Sequence, residues 1–228
     1  MKPTKETYNE FQNAYNYFNV NIFDNELSQC VITYQRQKKS FGHFSHQRWV
    51  NNKHEIKDEI ALNPAYFATR SINEILGSLV HEMVHLWQFQ YGKPGRGRYH
   101  NIQWADKMQS IGLMPYNTKN KEIKTGDNVS HYIIVNGLFD KVCNEYLALG
   151  NKISWFDRFI EHEVKENEQE ININFDQLVL PEENKNNTRI KYTCPNNHYS
   201  VWGKKDIDPI CGRCNQHMII NENKGKKL

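Results

Sequence analysis

Apolar residues recur along this chain at two different spacings, and each change of spacing marks an expected change of element. Over residues 7 to 19, Tyr8, Phe11, Tyr15 and Phe18 fall three or four apart. That is the step of one helix face, so an amphipathic helix is expected there. Phe23-Asp24-Asn25 follows as a turn. The period then shortens to two. Cys30, Ile32 and Tyr34 alternate with other residues, which predicts a strand over 30 to 37. The stretch 41 to 50, opened by Gly42 and carrying Trp49, is a second candidate strand. Glu59-Ile60-Ala61-Leu62, stopped by Asn63-Pro64, is a third. Three short strands between helices predict a small, mostly antiparallel sheet in an α+β domain.

The longest pattern covers 72 to 91. Ile72, Ile75, Leu76, Leu79, Val80, Met83, Val84 and Trp87 form one broad apolar stripe. Ser71 and Glu74 form a capping box at its start, and Gly92 and Pro94 end it. GKPGRGR then reads as a loop. A further helix is expected over about 101 to 111, on Trp104, Met108 and Ile111, with Gly112 as its stop. Residues 115 to 130 look like loop, and His131 to Phe139 is a strand or a turn into a helix at 138 to 149. Residues 161 to 187 are rich in Glu, Asn and Lys and read as a linker. A cysteine-bearing module occupies 188 to 220. The tail at 221 to 228 is basic and expected to be disordered. There is no internal repeat.

The 228 residues suit one medium domain and a small module. With 38% hydrophobic and 24% charged residues the chain is expected to be globular and soluble. A formal net charge of +3 permits nucleic-acid contact without arguing for it. No apolar run approaches the roughly 18 to 20 residues needed to span a bilayer. MKPTKETYNEF lacks an apolar signal core, so the expected location is the cytoplasm and no membrane partner is expected. Of the five cysteines, Cys194, Cys211 and Cys214 cluster near histidines, which in a reducing compartment favours a metal site over disulfides. Cys30 and Cys143 stand among apolar neighbours as small core residues.

His81-Glu82-Met83-Val84-His85 matches H-E-x-x-H on the strongest predicted helix. Residues i and i+4 share one helix face, so two imidazoles can converge on one zinc ion. Glu82, beside the first, can act as general base toward a water whose pKa zinc lowers to about 7. The bland alternative is a core helix with two histidines, but three polar groups beside a buried stripe are costly unless they serve a site. A catalytic zinc needs a third protein ligand. Gln88 and Tyr91 stand where the metzincin pattern requires Gly and His, which excludes that clan. His100, after the glycine-rich loop, is the best candidate; Glu122, His131 and Asp106 are rivals. His131 can instead sit behind a ligand, donate to a transition state, or simply pack. Tyr99, Tyr132 and His131 are guesses for an oxyanion donor.

HEMVHLWQ, a histidine fifteen residues after the second ligand, and a later cysteine module together resemble the SprT-like metalloprotease family, which includes Spartan, the protease of DNA–protein crosslink repair. FGHFSHQRW, EIALNPAYF, KPGRGRYHNIQWADKM, SHYII and VWGK look closest to the short SprT-like proteins of bacterial mobile elements and phages. The resemblance implies a zincin-like domain over about 1 to 160, with His81, His85 and His100 binding catalytic zinc and Glu82 as base. Many relatives carry Gly after the third histidine, where this chain has Asn101.

In the module, Cys194-Pro-Asn-Asn-His198 precedes Cys211-Gly-Arg-Cys214, a standard zinc knuckle. Relatives often carry a second cysteine where this chain has Asn197. His198 is the expected substitute and His217 the fallback, giving a Cys₃His structural zinc in a C-terminal ribbon. Two zinc ions are therefore expected, one catalytic and one structural. Tyr199, Trp202, Lys204, Lys205 and Arg213 place aromatics among cations, a pattern that suits single-stranded nucleic acid, although Trp202 can equally pack the ribbon. The resemblance to Spartan strengthens the DNA reading. The expected activity is peptide-bond hydrolysis on DNA-associated or DNA-crosslinked proteins. The rival is a DNA-binding or regulatory factor of a mobile element with little proteolysis, against which an intact Glu82 argues.

Overall fold

The computed structural model describes residues 2–38, 40–157, 190–204 and 207–220. The expected linker, Lys205 and the basic tail lie outside the described residues. Contacts divide the chain into two compact units, Met1–Leu180 and Pro181–Leu228.

The first unit mixes helices and sheet. It begins with helix α1 (Pro3–Ile22), longer than the periodicity alone predicts, which buries Phe11, Ala14, Tyr15 and Phe18. Buried Asn19 fastens the turn that follows. Its side chain donates to the Leu27 carbonyl (2.9 Å) and accepts from the Leu27 N–H (3.0 Å). Strands β1 (Val31–Tyr34), β2 (Gly42–Val50) and β3 (Ile56–Leu62) form a sheet in the order β1-β3-β2. The sheet is mixed. β2 and β3 pair antiparallel as a hairpin, but β1 lies parallel to β3, with Ile32 opposite Ile60. The expected antiparallel character therefore holds for one of its two pairings. Buried Glu59 on β3 accepts from Thr33 Oγ1 (3.0 Å), Gln35 Nε2 (2.9 Å) and Trp49 Nε1 (3.1 Å). One carboxylate thus ties all three strands, and those donors offset the cost of its burial.

A short 3-10 helix (Pro64–Thr69), absent from the sequence expectations, leads to α2 (Ile72–Tyr91). The capping box is formed: Ser71 Oγ accepts from the Glu74 N–H (3.3 Å), and Glu74 Oε2 accepts from the Ser71 N–H (2.8 Å). Ile75, Leu76, Leu79, Val80, Met83, Val84 and Leu86 are buried, so α2 is the central element of the core. α3 (Ile102–Ser110) and α4 (Leu138–Ala148) pack on it. Between them runs an antiparallel pair, β4 (Leu113–Asn117) and β5 (Val129–Ile133), with Pro115 opposite His131. Residues 115 to 130, expected to be loop, instead supply the end of β4 and the start of β5. No helix among the described residues is long and apolar enough to cross a membrane.

The second unit holds a three-stranded antiparallel sheet of β6 (Ile190–Thr193), β7 (Ser200–Gly203) and β8 (Ile219–Ile220), in the order β7-β6-β8. Its small core is Tyr192, Cys194, Cys211 and Met218.

Candidate metal centres

Helix α2 delivers His81 and His85 one turn apart, with ring centroids 5.3 Å from each other. The chain leaves α2, passes through the glycine-rich loop and returns His100 to them. Asn101 fixes that return. Its Oδ1 caps α3 by accepting from the Trp104 N–H (3.1 Å) and also accepts from Gln88 Nε2 on α2 (2.7 Å). Its Nδ2 donates to the Lys93 carbonyl (2.8 Å). Asn101 thus acts as helix cap and loop clamp together.

One ligand-type atom from each of His81, His85 and His100 lies within 4.8 Å of the others. His85 Nε2 and His100 Nε2 are 3.1 Å apart. The Gly126 carbonyl lies 3.0 Å from His100 Nδ1. A carbonyl only accepts, so Nδ1 carries the proton and Nε2 keeps its lone pair. His81 Nδ1 lies 3.2 Å from His131 Nδ1. Trp104 floors the cluster, its ring centroid 4.7, 5.1 and 4.3 Å from those of His81, His85 and His100. Its buried indole N–H has no partner among the described residues.

Burial pushes His85 and His131 down to about 3, lowers His81 well below the ordinary histidine range and lowers His100 as well. These rings are neutral at pH 7, the form that binds metals. Three neutral imidazoles converging on one point, one with its lone pair set free by a backbone carbonyl, fit a borderline ion such as zinc. Glu82 is 5% exposed, and burial alone pushes its carboxyl up to about 8. A Cβ at Gly42 would stand 3.1 Å from Glu82 Oε1, so the glycine opening β2 leaves room for that carboxylate.

Of the rival ligands, Glu122 and Asp106 are exposed and join no such group, whereas His131 stands behind His81. Tyr99 and Tyr132 are 40% and 56% exposed, and no contact places either beside Glu82. Sequence reasoning missed Arg70, which donates to Ser78 Oγ (2.7 Å) one turn before His81 and Glu82 on α2 and stacks over Phe41 at 4.1 Å. It also missed the Gly126 carbonyl, since a backbone acceptor leaves no mark in the sequence.

In the second unit, Cys194, His198, Cys211 and Cys214 offer four ligand-type atoms within 4.8 Å of one another. His198 Nδ1 lies 3.6 Å from Cys194 Sγ and 3.5 Å from Cys211 Sγ. Cys194 Sγ and Cys214 Sγ are 3.5 Å apart. Three thiols and an imidazole are a donor set that zinc accepts. Asn197 closes the first turn at φ 55°, a left-handed conformation asparagine tolerates, and the next residue supplies the donor. His217 instead pairs with Asp208 (2.7 Å) and stays outside the group.

Of the residues expected to meet DNA, Tyr199, Trp202 and Lys204 lie on or beside β7, and Arg213 lies in the second knuckle. Trp202 is 66% exposed and stands opposite Lys191 on the outer face of the sheet, so it does not pack the ribbon. The Tyr199 hydroxyl accepts from the Gly212 N–H (2.8 Å), which ties it to the second knuckle. Lys204 and Arg213 are exposed, while Lys205 lies outside the described residues.

Comparison with known proteins finds a relative and a family. An uncharacterized protein encoded in the mucB 3' region of Salmonella typhimurium is 49% identical over 51 residues, covering 22% of this chain and 69% of that protein. The model of the SprT-like family matches residues 11–125, a span that holds the second half of α1, the mixed sheet, α2, α3 and all three clustered histidines. The chain belongs to the SprT-like family.

Proposed function

We propose that this protein is a zinc-dependent endopeptidase of zincin type, acting on DNA-associated or DNA-crosslinked proteins in the cytoplasm. The observation that carries the reading is the convergence of His81, His85 and His100 beside a buried carboxyl, Glu82, whose pKa burial lifts to about 8. His81, His85 and His100 would hold the zinc. A zinc ion bound there supplies Lewis-acid polarisation of a carbonyl and acidifies a water. Glu82, beside those ligands, would ionise more readily with the site loaded and so work as a general base. Glu82 takes the proton of the attacking water and returns it to the leaving amine.

β2 is paired only with β3 among the described residues. Its Phe44 stacks toward His85 and Phe89, with ring centroids at 6.4 and 5.1 Å. An extended substrate would add to the open edge of β2 through backbone hydrogen bonds, which favours little side-chain selectivity. In the second unit, Cys194, His198, Cys211 and Cys214 would hold a structural zinc. Trp202, with Tyr199, Lys204, Lys205 and Arg213, would engage single-stranded DNA by stacking and charge. The exposure of Trp202 supports this, as does the resemblance to Spartan.

The test is cleavage of a DNA-binding protein with and without single-stranded DNA. The reading expects cleavage that a chelator stops and zinc restores, stimulated by DNA and less so in Trp202→Ala. DNA-independent cleavage would leave a general peptidase. DNA binding without any cleavage would leave a regulatory module.

A further inference from the structure

We propose that His131 is a positioning residue of the histidine centre: its Nδ1 accepts the His81 Nδ1–H and holds His81 with Nε2 free for the metal. This rests on the peptidase reading above. The two Nδ1 atoms are 3.2 Å apart, so one ring donates and the other accepts. If His81 ligates through Nε2, its Nδ1 carries the proton and His131 must be the acceptor. His100 is held in the same way, with the Gly126 carbonyl 3.0 Å from its Nδ1. Both contacts come from β5 and the segment just before it. Together they fix two of the three ligand rings from behind.

Two further features fit this role. Gly77 lies in the interior of α2, where glycine costs about 1 kcal/mol relative to alanine. A Cβ there would stand 3.2 Å from His131 Nε2 and 3.7 Å from the Phe139 ring, so the glycine admits the imidazole against the helix. An apolar side chain in place of His131 would leave the His81 N–H buried without a partner.

The experiment measures zinc affinity of the full chain against a graded chelator. The zinc lost in His85→Ala identifies the histidine site. His131→Leu is expected to weaken that site about 10- to 100-fold and leave the other zinc unchanged. His131→Asn, whose Oδ1 takes the place of Nδ1, is expected to restore most of the affinity. Wild-type affinity in His131→Leu, or no gain from Asn over Leu, overturns the inference and leaves the peptidase reading standing. Should His131→Leu fail to fold, Asn is compared with Gln, whose carbonyl reaches the Nε2 position instead. Equal affinity in that pair overturns the inference. A wild type that takes no zinc at the histidines overturns both.

Discussion

At the scale of single residues the site depends on small clearances and on protons kept away. Gly42 has no room for a side chain, since a Cβ would stand 2.9 Å from the Ala61 carbonyl oxygen and 3.1 Å from Glu82 Oε1. The strand edge must shift to clear the Ala61 oxygen, and the carboxylate must give by a few tenths of an ångström. Gly42→Ala is expected to lower kcat about 10-fold with zinc content unchanged, since a misplacement of about 1 Å costs about 100-fold. Unchanged kcat would show that Glu82 tolerates displacement.

Proton linkage gives a second prediction at this scale. In the zinc-free chain His85 and His131 titrate near 3, against about 6.5 when unfolded. Their contribution to stability is complete above 6.5 and is lost as the pH falls toward 3. Glu82 runs the other way. Raised from 4.5 to about 8, it favours the fold below 4.5, and that contribution is lost as the pH rises through 8. Thermal melts in chelator should show stability falling from pH 6.5 to 4, less steeply in His131→Asn. Glu82→Gln should remove a decline that starts above pH 6.5 and ends near 8, and should steepen the acid limb between pH 4.5 and 6.5.

At the scale of elements, α2 was legible because its signals agree: a stripe in steps of three and four, a capping box, and Gly92 and Pro94 beyond its end. Ser71→Ala is expected to cost about 1 kcal/mol, seen as a lower urea midpoint at unchanged slope. No shift would mean that tertiary packing alone fixes that helix end. β4 was hidden because Leu113–Asn117 is short and carries Pro115, which forgoes a backbone donor. The parallel pairing of β1 with β3 is a non-local choice that alternation cannot encode. His81, Glu82 and His85 were legible because a helix fixes their relation locally. His100 was narrowed to a best candidate, since its return depends on Asn101, Gln88 and Gly126. Spacing favours His198 over His217, and the structure groups His198 with the three cysteines while His217 pairs with Asp208.

For the whole molecule, the two donor sets lie in different compact units, so each should load on its own. Two zinc ions per chain are expected. His85→Ala should lose one and keep the other, and Cys211→Ser should do the reverse; metal analysis after gel filtration reads both. One zinc in the wild type would remove either the histidine centre or the ribbon site.

The most direct test compares wild type and Glu82→Gln at equal zinc content for cleavage of an unfolded protein substrate. The account predicts cleavage by the wild type and a rate about 100- to 10,000-fold lower in the variant, the usual contribution of a general base. Equal rates in the two proteins, or no cleavage by a fully zinc-loaded wild type, would contradict it.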